Sequence, residues 1–450
     1  MVALISGFAT AWLEAYNMED ILTRAKKVAE EAEVFRVSAT ETVVQFEANR
    51  LKHVQSKQSN IVALRIVRQG RIGYAATTEL SDRQDLVNMA VETAQFGMPA
   101  KFEFPSFTSY PNVEIFDPGV EFVTIDEMIK LGEELIAIVR GHTPDIVCEA
   151  GVTKALAIVR IMNSRGGGTN YKESAFSLDV AGTLVRDTDM LFVGESESSC
   201  HPLDEPGDIA GVVLQQLELA KNQASVPSRS LPVVFTPHGV ASALIPPLMA
   251  AFNGKIVLEG ASPIGSKLGQ QVFDKKLWLW DDPTIDYRPE SRPCDDEGIT
   301  SQRTPLVEEG RVANFLYDLQ TAALAHTRST GNGSRSRGGL PAPSPSAFII
   351  APGNATFDEM VQDIKEGLVI EQLMGAAQGN ILGGDFSGNV LLGYKVENGK
   401  IVGRVKDTMV SGNVYQLLNN VAIGSETKWV GSFLQTPPLY CPSLSVASKG

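Results

Sequence analysis

Residue types able to do acid–base, metal or nucleophilic chemistry are unevenly spread along the 450-residue chain. Histidine, the side chain that titrates nearest neutral pH and a common metal ligand, occurs at His53, His142, His201, His238 and His326, no two of them three to five residues apart. A zinc site carried on one helix as HExxH or HExxxH is therefore absent, and so is the GxSxG elbow of many hydrolases. His238 follows Thr236-Pro237, an N-cap and first helical position. A charged imidazole there would oppose the helix dipole, so His238 reads as a hydrogen-bonded structural residue.

Three clusters in the second half hold the remaining chemistry. Cys294-Asp295-Asp296-Glu297-Gly298 sets three carboxylates in a row, able to bind a cation or receive an amine, or to form a solvated turn. GGDFSGN (383–389) joins Asp385 and Ser387 to glycines that can expose backbone donors or form a bulge. HTRSTGNGSRSRGGLPAPSPS (326–346) carries Arg328, Arg335 and Arg337 and lies in a span without acidic residues between Asp318 and Asp358. It reads as a local cationic spot on a mobile segment, fit to clamp a carboxylate, a phosphate or an acidic surface, or as a floppy solvated loop.

The elements that must position these groups follow from periodicity and punctuation. Ile21, Leu22, Ala25, Val28, Ala29 and Ala32 share one face of a helix over 18–32. Branched residues predict strands over 34–47 and 60–77, the second turning at Gln69-Gly70. Ser81 with Gln84, Thr124 with Glu127, and Thr356 with Glu359 are capping boxes, the first opening a helix over 82–96. Residues 145–198 read as a strand meander whose Gly166–Asn170 turn lacks the GK[ST] and the following helix of a phosphate loop. Pro206 opens a helix, 225–232 reads as a linker, and short helices are expected near 318–326 and 412–421. Asn398-Gly399 signals a hairpin. In GVASALIPPLMAAF (239–252), Pro246 and Pro247 must break the helix near Ile245, because each removes a backbone donor and clashes with the preceding turn. Three units are expected, 1–110, 111–228 and 229–450. The class is α+β, an α/β N-terminal half followed by a β-rich C-terminal domain.

With 53 acidic against 39 basic residues the net charge is −14, which opposes general nucleic-acid binding. Four separated cysteines without a CxxC pair suggest a reducing compartment. The run MVALISGFATAW lacks a basic start, and the apolar stretch 231–252 carries prolines and a histidine, so a cytoplasmic protein without a membrane span is expected.

LPVVFTP (231–237), the run 269–283 ending in DDP, DDEGITSQRTPLVEEG (295–310), STGNG (329–333), GDFSG (384–388), VSGN (410–413) and GRIGYAATTELSD (70–82) occur together. Jointly they resemble the TldD/PmbA family, once called modulators of DNA gyrase and regarded as metalloprotease-related. TldD-type members carry HExxxH on the helix after the PVV strand. An ungapped count places those positions on Ile245, Pro246 and Ala250, and the family's third ligand, a cysteine, at about Lys428. The resemblance thus implies the PmbA branch, also called TldE, with no metal or other cofactor of its own. It implies a TldD-type paralogue as partner, which would hold the zinc, or else a second copy of this chain. The pair would degrade or trim unfolded peptides, with an extended peptide and neither nucleic acid nor membrane as ligand. This chain would supply scaffold and part of a peptide channel or subunit seam, for which Gly331, Asn332, Arg335, Arg337, Asp385 and Ser387 are the candidates. Other readings are an enzyme of another kind with a metal on Asp295, Asp296 and Glu297 alone, an autonomous homodimeric hydrolase, or a regulatory binding protein. Whether the chain is itself an enzyme is left open by the sequence.

Overall fold

The computed structural model describes residues 15–78, 83–106 and 108–449, with the side chains of 15–17 and 337 outside the description. The apolar N-terminal run and Ser81 of the expected capping box lie outside the described residues.

A six-stranded antiparallel sheet organises the N-terminal half. Its strands are β1 (Glu31–Glu47), β2 (Arg50–Arg68), β3 (Arg71–Thr77), β4 (Val147–Asn163), β5 (Gly168–Arg186) and β6 (Asp189–Ser199), in the order β3-β2-β1-β4-β5-β6. Because β1 pairs with β4 from Glu33–Asn163 to Phe46–Ala150, the boundary expected at 110/111 falls inside one continuous sheet. What separates there is the helical cover. Helices α1 (Ala15–Ala25) and α2 (Arg83–Ala94) bury Met18, Ile21, Leu22, Leu86, Val87 and Ala90 against one end. Helices α3 (Ile125–His142) and α4 (Pro206–Leu219) bury Met128, Leu135, Val139, Ile209 and Val213 against the other. Gly132 lets α3 approach closely, since a Cβ there would sit 2.2 Å from the Phe46 ring.

Local signals set most boundaries. Thr124 and Glu127 cap α3 reciprocally. Gln69 and Gly70 both take positive φ in the β2–β3 turn, as do Asn398 and Gly399 in theirs. The expected helix 18–32 stops at Ala25 because Ala32 is drawn into β1 opposite Ile66. The helix expected over 412–421 shrinks to Val414–Leu417.

In the C-terminal half, β7 (Arg229–Phe235), β8 (Glu366–Met374), β9 (Asp385–Glu397), β10 (Thr408–Asn413) and β11 (Leu439–Ser448) close a ring in the order β8-β7-β11-β10-β9, β9 returning to β8. Closure leaves this set without free edges. A second sheet of short strands lies beside it, ordered 311–312, 304–308, 279–281, 348–350, 434–436, 428–430. In it, fully buried Asp281 accepts from Asn332 Nδ2 and Ser346 N, each at 2.7 Å. Among the described residues no helix is long and apolar enough to cross a membrane.

The halves meet over a buried ion network. Arg65 of β2 donates to Glu33 Oε2 of β1 (3.1 Å) and to Glu297 Oε1 from the C-terminal half (2.6 Å). Arg335 pairs with Glu33, and its backbone N–H reaches Asp296 Oδ2 at 2.7 Å. The Arg65 guanidinium also lies 4.8 and 4.9 Å from the Phe102 and Phe104 ring centres, a cation–π contact.

Removing one cation from such a network strands the other charges away from water, at about 3–5 kcal/mol. Arg65→Met should therefore lower the urea unfolding free energy by that amount, whereas Arg24→Met, which breaks a half-exposed pair with Asp20, should cost under about 1 kcal/mol. Burial also pushes the Asp281 carboxyl up from 3.8 to about 7 against its hydrogen bonds from Asn332 and Ser346. The fold thus holds a proton the unfolded chain releases, and that stabilisation is lost as pH rises from about 4 to about 7. Asp281→Asn should flatten the decline of melting temperature across that window; an unchanged slope would place the titration elsewhere.

Candidate functional site

Thr236 ends β7 and caps helix α5 (Pro237–Ala243), its Oγ1 accepting from Gly239 N at 3.3 Å. A joint at Leu244 follows, and helix α6 (Ile245–Phe252) restarts with Pro246 and Pro247 in its first turn, where no backbone donor is needed. The break expected near Ile245 is thus present. Ile245 is 1% exposed in the core, while Pro246 and Ala250 are half-buried. These three side chains are hydrocarbon and offer no donor atom. Among the described residues, no three His, Cys, Asp or Glu side chains are grouped so as to hold a metal. A zinc ion on the pattern of the TldD-type helix therefore does not fit at these positions.

Beside α5, between β5–β6 and β8–β9, lies a cleft of about 410 Å³ lined by Glu195, Gln216, His238 and Glu371 among others. Its charges are matched to one another. Glu195, 3% exposed, accepts from His238 Nε2 at 3.2 Å and pairs with Lys428. Burial would raise its pKa, but His238 and Lys428 outweigh burial and bring it down to about 2. Glu371 is raised, chiefly by burial, despite a 2.9 Å hydrogen bond from Thr236 Oγ1. The expectation that His238 is a hydrogen-bonded structural residue fits this geometry. The set can hold charge and accept hydrogen bonds from a ligand, but it contains no Ser, Thr or Cys nucleophile activated by a histidine among the described contacts.

The motif residues are placed differently from expectation. Within the loop 326–346, the stretch from Thr330 to Arg335 is an ordered part of the interior whose polar groups have partners inside the chain, whereas His326, Thr327 and Arg328 are exposed. Arg335 is buried and matched by Glu33, and Asn332, 1% exposed, bonds Asp281 and Ser344 O. Gly331, also buried, takes φ +77 within a Cβ distance of 2.9 Å from Thr300 O. These three, expected in a peptide channel or subunit seam, are enclosed by this chain. The side chain of Arg337 lies outside the described residues. Asp385 and Ser387 are exposed at the barrel rim beside a shallow depression of about 450 Å³, with Asp385 Oδ1 accepting from Asn413 Nδ2 at 2.8 Å.

The carboxylates of 295–297 are likewise committed. Asp295 accepts from the backbone of Glu297 (3.0 Å), Ile299 (2.9 Å) and Gly333 (2.8 Å), while Glu297 takes Arg65 and Leu319 N (2.7 Å). They tie the two loops to the N-terminal sheet and do not converge on a cation. Glu33, Arg65, Glu195 and Glu371 are the groups the motif search missed. For Arg65 and Glu371 the signal is a lone charge inside a branched run, IVALRIV and LVIEQL, since such charges are buried only when paired; Glu33, in EEAEV, and Glu195, in GESES, carry no such signal.

Residues 228–448 match the model of the PmbA/TldA metallopeptidase C-terminal domain, and residues 32–94 that of the PmbA/TldA metallopeptidase domain 1. An uncharacterized protein of Methanocaldococcus jannaschii is 28% identical over 409 residues, covering 89% of this chain and 93% of that protein. The metalloprotease PmbA of Escherichia coli O157:H7 is 25% identical over 435 residues, 93% of this chain and 92% of its own length. The crystal structure of TldE from Thermococcus kodakarensis is similar with a TM-score of 0.86 at 20% identity, over 96% of this chain and 100% of that one, a likeness of fold. With its first and last domains both matched by the same family, and relatives aligned along nearly their whole length, the chain belongs to the PmbA/TldD metallopeptidase family.

Proposed function

We propose that this chain is a TldE-type subunit without its own zinc, acting beside a TldD-type paralogue in the proteolysis or trimming of unfolded peptides. One observation carries the reading. The helix that follows β7 offers only Ile245, Pro246 and Ala250 where the resemblance calls for ligands, and the charges next to it are taken up by each other. Lys428, at the counted place of the third ligand, pairs with Glu195 and so brings a cation of the chain's own into the cleft. In this reading the partner supplies the metal-activated water, and this chain supplies scaffold and a wall of the peptide path. The four cysteines, buried and unpaired, suit the reducing cytoplasm.

Peptide cleavage by the purified chain, alone and mixed with a TldD-type protein, tests the reading. The chain alone should be inactive toward an unfolded casein substrate and hold no stoichiometric zinc by plasma mass spectrometry, with chelator-sensitive cleavage in the mixture. Chelator-sensitive turnover by this chain alone would overturn it. The Lys428 pairing has its own test. A carboxyl lowered from 4.5 to about 2 contributes stability that is present above pH 4.5 and lost as pH falls toward 2. Lys428→Met should raise the Glu195 pKa and move the acid-unfolding midpoint to higher pH, with little change in melting temperature difference between pH 6 and 8.

A further inference from the structure

Strand β2 is packed along only half its length. Val62 to Val67 are buried, whereas each residue from Arg50 to Gln58 is exposed, so neither face of that segment is covered. One edge pairs with β1, from Arg50 opposite Glu47 to Gln58 opposite Thr40. The other edge has no neighbour among the described residues, because β3 reaches only Val62 to Arg68. About half the amide and carbonyl groups of such a segment point outward, available to another strand.

The edge has a sign. Arg50, Lys52, His53 and Lys57 lie on it, and no acidic residue occurs between Glu47 and Glu79 in a chain of net charge −14. Its balancing carboxylates sit one strand inward: Lys52 bonds Glu47 at 2.6 Å, and Lys57 lies opposite Glu41. A strand added outside would run about 4.8 Å from β2 and about twice that from β1, so it meets the cations first. Leu51 and Val54, 44% and 38% exposed, add apolar surface. Antiparallel pairing with the same edge of a second copy, about an axis between Val54 and Gln55, would set Lys52 against Lys57, and like charges directly opposite are destabilising.

We propose that the β2 edge from Leu51 to Gln58 docks an extended acidic segment of a different polypeptide by strand addition. This stands independently of the zinc-free reading, since it concerns a different face and needs no catalytic partner.

The test uses the intact chain and two fluorescent eight-residue peptides, alternating Glu-Val and alternating Lys-Val, read by anisotropy at low and high salt. The acidic peptide should bind at least about tenfold more tightly, weaken with salt, and slow hydrogen exchange within residues 51–58. The charge-reversed K52E/K57E chain should invert the preference, at a lowered melting temperature because the new glutamates face Glu47 and Glu41, and the neutral K52Q/K57Q chain should lose the preference while remaining folded. Binding of neither peptide, an unchanged preference in K52E/K57E, or protection of 51–58 by self-association in light scattering would each overturn the proposal. In the first case the lysines serve only to keep the edge from aggregating.

Discussion

The arrangement rests on Arg65, a fully buried cation between two carboxylates that come from opposite halves of the chain. Taking an arginine out of water is tolerable only when its charge and its planar donors are met at close range. Glu33 on the neighbouring strand meets one side, and Glu297 meets the other. Glu297 can do so only if the 294–298 loop lies against the sheet. That in turn brings Gly333 N onto Asp295 and Arg335 onto Glu33. Two segments that look like catalytic loops in sequence are thus a clasp, and their charge is spent on orienting the halves.

Away from the clasp, the cleft at β6 and α5 is one of the places where ionisable groups lie near a ligand-sized space. There the balance is local. His238 and Lys428 hold Glu195 ionised, while Glu371 accepts from Thr236 and is raised chiefly by burial. An ammonium on a flexible stem can match a carboxylate without the fixed coordination geometry a metal requires. The cleft keeps polar walls without the ligand set that peptide hydrolysis by metal would need.

Much of the architecture was legible in local signals, since capping boxes, positive-φ turns and the double proline act within a few residues. The Thr124 and Thr356 caps, the Gln69-Gly70 turn and the joint at Leu244 stand where sequence places them. What sequence could not show is long-range. Nothing near Glu33 announces Glu297, 264 positions away, and a Gly/Ser-rich loop reads as solvated until Arg335 is seen to pair with Glu33. The exposed half of β2 was missed as a strand because it lacks apolar alternation; only its pairing with β1 makes it one. The family likeness supplied the positions Ile245, Pro246 and Ala250, but not the neighbours that fill the cleft.

The ring of barrel strands has a kinetic consequence. β7 is the first of them to leave the ribosome, yet it lies between β8 and β11, which follow more than a hundred residues later. Its hydrogen-bonding edges must wait, because pairings so distant in sequence form slowly. The N-terminal sheet, complete once β6 is made, is under no such delay, apart from the charges at Glu33 and Arg65 that await Glu297. During synthesis the growing chain therefore carries an open, branched-residue strand for a long interval, and shielding that strand becomes a task for the cell's chaperones.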